Sequence, residues 1–98
     1  MKTLFVVSSR RLEYHAGEEY DDFIEVGHNP SIENVKEWSN RIANRIRKLW
    51  NEDKDEEKGI SVYLDGASPY NAFLQDAQIF MKENENIDIK LPFLEEEE

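Results

Sequence analysis

Cysteine is absent from this 98-residue chain, which excludes disulfides and thiolate metal sites. There are only two histidines, and no HxxxH pair or carboxylate cluster has metal-ligand spacing, so neither a metal nor a cofactor is expected. No apolar run approaches the ~18 residues that a membrane span requires. The run Leu-Phe-Val-Val at residues 4–7 is too short for a signal-peptide core, and a cytoplasmic location is the expectation. The chain also lacks GxGxxG, the Walker lysine loop and GxSxG, which argues against the common dinucleotide, nucleoside-triphosphate and hydrolase classes.

Excess positive charge is missing as well. The net charge is −10, and it is unevenly spread. Residues 1–50 hold eight cations against eight carboxylates, whereas residues 51–98 hold four against fourteen. Extended binding to DNA or long RNA requires many phosphate-neutralising cations, so neither is expected as a partner. A small anion in a local pocket remains compatible, because Arg10 and Arg11 are adjacent in the neutral half.

The chain does have enough apolar residues for one modest core, including eleven aromatics. A domain of this size buries about 60–65% of its unfolded surface, so a dimer interface would help it. Residues 3–8 form a nearly continuous apolar run that reads as a central strand. Residues 10–22 are polar, with a short helical turn expected between 12 and 20. Residues 22–26 alternate and predict a second strand. Asn29 and Pro30 are suited to the cap and first position of a long helix reaching about residue 51. Ile32, Val35, Trp38 or Ser39, Ile42, Ile46 and Leu49 give that helix one apolar face. Trp38 and Trp50 are expected in the core or at an interface.

Residues 51–58 read as a charged linker. Residues 59–71, Gly-Ile-Ser-Val-Tyr-Leu-Asp-Gly-Ala-Ser-Pro-Tyr-Asn, then predict a strand running into a tight turn and a helix. Ser68 is suited to the cap and Pro69 to the first helical position. Phe73, Leu74, Ala77, Phe80 and Met81 line this second helix, and residues 87–91 make a last strand. One domain is expected over residues 1–94, with an acidic disordered tail at 95–98.

Strands alternating with helices predict an α/β fold: a small, Rossmann-like, mostly parallel four-stranded sheet with helices on its faces. Right-handed crossovers place the first and third strands together at its centre. Ligands bind such sheets at the strand C-terminal ends, where the chain order switches direction. That rule brings together Ser8, Ser9, Arg10 and Arg11 with Asp65, Gly66, Ala67 and Ser68. Hydroxyls and guanidinium groups suit phosphate or carboxylate oxygens, and a helix N-terminus attracts anions. The same residues equally suit a solvated loop and an efficient strand-to-helix connection. Tyr70 and Asn71, taken as facing outward, could stack on and hydrogen-bond a base. His28 follows the second strand on the same edge; it and His15 fit either acid–base or structural roles.

The opening Leu4-Phe-Val-Val-Ser-Ser9, together with Val62-Tyr-Leu-Asp-Gly-Ala-Ser-Pro-Tyr-Asn71 after a long helix, resembles the CRISPR-associated Rossmann fold proteins. These sense the cyclic oligoadenylates of type III CRISPR defence. The resemblance covers essentially the whole chain and is to minimal, single-domain members without a fused nuclease. It implies a homodimer whose paired ligand edges share one pocket for a cyclic oligoadenylate, cyclic tetra-adenylate foremost. A two-fold symmetric ring can lie on the axis of a symmetric dimer. It also implies one of two roles: sequestration of the messenger, or its cleavage as a metal-independent ring nuclease by 2′-hydroxyl attack. The charge asymmetry leaves a third reading open, an acidic protein-interaction domain.

Overall fold

The computed structural model describes residues 1–15, 17, 19–28, 31–52, 58–65 and 68–95, with backbone alone for Tyr14, Ser68, Pro69 and Glu95. Strand β1 (Lys2–Ser8) leads through a short 3-10 turn (Leu12–His15) to β2 (Asp22–Val26). Helix α1 (Ile32–Glu52), β3 (Ile60–Asp65), α2 (Ser68–Glu85), β4 (Ile89–Lys90) and a single turn, α3 (Pro92–Glu95), follow. The four strands form one sheet in the order β2-β1-β3-β4, and every pairing is parallel. The fold is the expected α/β type, with β1 and β3 adjacent at its centre.

The parallel register assigns each residue to a face. Leu4 is opposite Val62, Phe5 opposite Tyr63 and Phe23, and Val7 opposite Asp65. Leu4, Val6, Ile24, Val26, Ile60 and Val62 share one face, where they form a core with Ile42, Ile46 and Leu49 of α1 and Leu74 and Met81 of α2. Both helical crossovers advance the chain in the same direction across the sheet, so right-handed connection puts both helices on that one face. The β1-to-β2 connection runs the other way and contains only the 3-10 turn. Among the described residues, therefore, no long helix covers the opposite face, with Phe5, Phe23 and Tyr63.

Three expectations about the helices are corrected. The first helix starts at Ile32: the Asn34 N–H donates to Ser31 Oγ at 3.2 Å and the Val35 N–H to the Ser31 carbonyl at 2.9 Å. Ser31 is thus the N-cap, while Asn29 and Pro30 lie outside the described residues. Ile32, on the first turn, is 90% exposed rather than part of the buried stripe. On α2 the buried face is Tyr70, Leu74, Ala77 and Met81, a spacing of four, three and four. That phase turns Phe80 out to solvent and leaves Phe73 only partly buried. Trp38 and Trp50 pack against the core as expected, each with a cation, Arg41 and Lys58 respectively, over its ring. The linker residues 53–57 and tail residues 96–98 lie outside the described residues; Glu95 ends α3.

Helix α2 ends at Asn86, whose φ of 57° is left-handed, and the Ile87 N–H closes the end on the Met81 carbonyl at 3.1 Å. Arg47 of α1 clamps this end through paired bonds to Glu85, 2.8 Å from Nε and 2.9 Å from Nη2. The hydrogen bonds from Arg47 hold the Glu85 carboxyl below its ordinary value of 4.5. A depressed carboxyl stabilises the fold at pH above its unfolded value, and the contribution fades as pH falls through the lower folded value. Glu85→Gln is therefore less stable than the parent near neutrality, and the difference closes below about pH 4.5. Urea midpoints across that range check it; a gap independent of pH would refute the clamp.

At the outer edge of β2, Phe23 presents its backbone away from β1. Its N–H donates to Asp22 Oδ1 at 2.9 Å, and its carbonyl accepts from Arg45 Nη1 at 3.3 Å. Arg45 Nη1 also bonds Asp22 Oδ2 at 2.8 Å. Side chains thus occupy edge groups that would otherwise template another strand. Asp22→Ala is expected to associate beyond the parent's own oligomeric state as concentration rises, which light scattering after size exclusion would detect.

Candidate functional site

The site is built where β1 and β3 end side by side. The connection from β1 leaves toward β2 and that from β3 leaves toward β4, so this is the switch point of the sheet. Ser8, the last residue of β1, is 1% exposed, and its Oγ lies 3.3 Å from Nδ1 of His28. The Arg10 N–H also points at Ser8 Oγ, at 3.4 Å, and the Arg11 N–H donates to the Ser8 carbonyl at 2.8 Å. The Ser9 N–H donates to the Val26 carbonyl at 2.9 Å, tying the turn to the end of β2. Residues 8–11 therefore form a tight turn that leaves the Ser9, Arg10 and Arg11 side chains exposed.

Across the turn, Arg11 Nε lies 3.1 Å from Asp65 Oδ1, and His15 Nε2 lies 2.5 Å from Asp65 Oδ2. The His15 ring also packs edge-on against Phe5, with centroids 4.6 Å apart. One carboxylate thus ties the 3-10 turn to the end of β3, fifty residues away in sequence. Residues 8–11 and Asp65, the first residue of the second expected loop, meet at one edge, joined by a direct charged contact.

The other candidate residues divide. His28 is half-buried, held by Ser8. Gly66, Ala67 and the side chain of Ser68 lie outside the described residues; the Ser68 backbone begins α2. Tyr70 is a correction: it is 0% exposed and belongs to the core, so it cannot stack on a ligand at this edge. Burial raises its phenol above the ordinary value of 10.0. Asn71 is half-buried and its Oδ1 accepts from Gln75 Nε2 at 3.0 Å, so it is tied along its own helix. Ser8 is likewise a correction: at 1% exposure it is too buried to touch a ligand, and its Oγ contacts His28.

Sequence reasoning missed what lies just below this edge on the open sheet face. Thr3, Phe5, Tyr63 and Asp65 form the floor of a groove of about 480 Å³, walled by His15, Glu19 and Tyr20. The signal was available: Phe5, Tyr63 and Asp65 alternate on one face once the parallel register is drawn. That His15, Glu19 and Tyr20 stand over that face had no local signal.

Among the described residues no group of three His, Asp or Glu side chains is placed to hold a metal ion. Among the described residues no helix is long and apolar enough to cross a membrane. No family model, no curated protein and no solved structure matches this chain.

Proposed function

We propose that this chain binds a cyclic oligoadenylate, cyclic tetra-adenylate foremost, and sequesters it to damp type III CRISPR signalling. The observation that carries the reading is the meeting of the turn at residues 8–11 with Asp65 at the switch point, through the 3.1 Å contact of Arg11. That turn presents an exposed Arg10, with no ion pair among the described residues, beside an Arg11 already fixed in direction. A fixed and an available guanidinium suit phosphate oxygens at a sheet edge. The pocket would be shared across the two-fold axis of a homodimer, so that each subunit meets half of the ring.

A second reading, cleavage of the same ring, is favoured by the two imidazoles at this edge. His28 is oriented by Ser8 and His15 by Asp65. An oriented pair of imidazoles beside arginine supplies acid, base and charge stabilisation for attack by a ribose 2′-hydroxyl on its phosphate, without a metal. The 2′-oxygen forms the new P–O bond as the 5′-oxygen leaves with a proton.

Thermal shift against cyclic tri-, tetra- and hexa-adenylate, followed by analysis of the bound material, tests both. Binding raises stability by RT ln(1 + [L]/Kd), so a ligand at a hundred times its Kd adds about 2.7 kcal/mol. A shift with one ring recovered intact supports sequestration, and linear products support the nuclease. No shift with any ring overturns the proposal.

A further inference from the structure

The groove on the open sheet face has a lining that the edge above it does not account for. Among the described residues its lining carries three aromatic side chains, Phe5, Tyr20 and Tyr63, the His15 imidazole and two carboxylates, Glu19 and Asp65, with no lysine or arginine of its own, while Arg11 reaches Asp65 from the edge above. Phe5 is buried in the floor, while Tyr63 is 41% exposed and offers its surface to the groove. Tyr20 is held upright between Phe5 and Phe23, at ring distances of 5.5 and 5.6 Å. The carboxylate of Asp65 is fixed by Arg11 and His15. At about 480 Å³ the groove is within the range of small-ligand sites.

Aromatic faces stack on flat rings, and carboxylates accept from N–H groups, with Glu19, which has no ion pair among the described residues, disfavouring phosphate. The chain's charge of −10 acts in the same direction. We propose that this groove binds a planar nitrogen heterocycle bearing an amino group, stacked on Tyr63 with its N–H donors directed to Asp65 and Glu19. The inference goes beyond the messenger reading, because the ligand needs no phosphate and a bare nucleoside satisfies the site. An alternative occupant of an uncovered sheet face is a second copy of the chain. The Glu19 carboxylate and the net charge of −10 disfavour it, since a copy would bring both again to the same face.

The test is a titration of the full chain with adenosine and with purine riboside, which lacks the amino group, followed by amide NMR shifts and calorimetry. Adenosine is expected to perturb Thr3, Tyr20, Tyr63 and Asp65, and purine riboside to bind roughly ten-fold more weakly. Stacking on one ring predicts that Tyr63→Ala weakens adenosine by roughly ten-fold while Tyr63→Phe retains it. Glu19 is exposed, so Glu19→Gln should fold as the parent does, and it should weaken adenosine while sparing purine riboside. Equal affinity for the two nucleosides, indifference to Tyr63→Ala, or no binding at millimolar nucleoside would each overturn the inference. A dimer that Tyr63→Ala dissociates, with no nucleoside bound, would assign the face to a second copy instead. Thr3, Tyr20 and Tyr63 belong to the groove alone and Asp65 to both places, so the first three distinguish failure here from failure of the messenger reading.

Discussion

Tyr70→Phe should make this protein more stable, and Tyr70→Ala should bring it close to unfolding. Tyr70 is fully buried on the first turn of α2, and among the described residues its Oη has no hydrogen-bond partner. A buried hydroxyl without a partner costs roughly 1–3 kcal/mol of desolvation. Removing it while keeping the ring is expected to gain about 1 kcal/mol, which is a rise in Tm of roughly 4–8 °C for a domain of this size. Removing the ring leaves a large cavity between α2 and the sheet and costs roughly 3–5 kcal/mol, as for other large aromatic truncations. A domain with a total stability on the order of 5–15 kcal/mol loses much of its margin by that change.

The alkaline limb provides an independent check. Burial raises the Tyr70 phenol above 10.0. The folded state therefore holds this proton more tightly, and stability falls as pH rises from the unfolded value through the folded one. Tyr70→Phe should remove that loss and flatten the curve above about pH 10. Denaturant midpoints for the parent and both variants measure all of this. A destabilised Tyr70→Phe would mean that the hydroxyl makes a bond worth keeping.

The second large effect is on binding, and it separates two neighbouring arginines. Arg11 is already engaged with Asp65 at 3.1 Å, whereas Arg10 makes no ion pair among the described residues. If the edge binds cyclic tetra-adenylate, Arg10→Ala removes a charged bond made only to ligand. Such a bond contributes roughly 1.5–3 kcal/mol, or about ten- to 150-fold in Kd. Arg10→Ala should leave Tm unchanged without ligand. Arg11→Ala should show a smaller affinity loss and a small drop in ligand-free Tm, because its guanidinium is half exposed and such pairs contribute about 0–1 kcal/mol. Calorimetry with the intact ring, run at two salt concentrations, reads both effects. Equal losses for the two variants would remove the distinction drawn here between a fixed and an available guanidinium. Full binding by the double variant would remove both from the site.

About half of the candidate site is legible in the sequence. A topological rule assigns two loops far apart in sequence to one edge, and the Arg11–Asp65 contact joins the first of them to the start of the second. Tyr70 is misplaced because the apolar residues of the second helix span more than one face. The sequence points to Phe73, Leu74, Ala77, Phe80 and Met81, and packing rotates the helix so that Tyr70, Leu74, Ala77 and Met81 are buried. A tyrosine four residues before a buried leucine was the available clue. Ser31 was passed over as a helix cap because Asn29 and Pro30 form the more familiar sequence signal.

The sequence by itself determined the order and kind of the main elements, because hydrophobic periodicity and turn chemistry act over a few residues. From that order followed the parallel sheet and its central pair, since crossover handedness restricts the topology. Tertiary structure alone decided which face of α2 is buried, and that His15 reaches Asp65. It also decided that Asp22 and Arg45 cover the edge of β2, and that among the described residues one sheet face carries no long helix. Each of these depends on the relative placement of segments twenty to fifty residues apart. Local patterns set the period of an element but not its rotation or the surface it meets, so packing makes that choice.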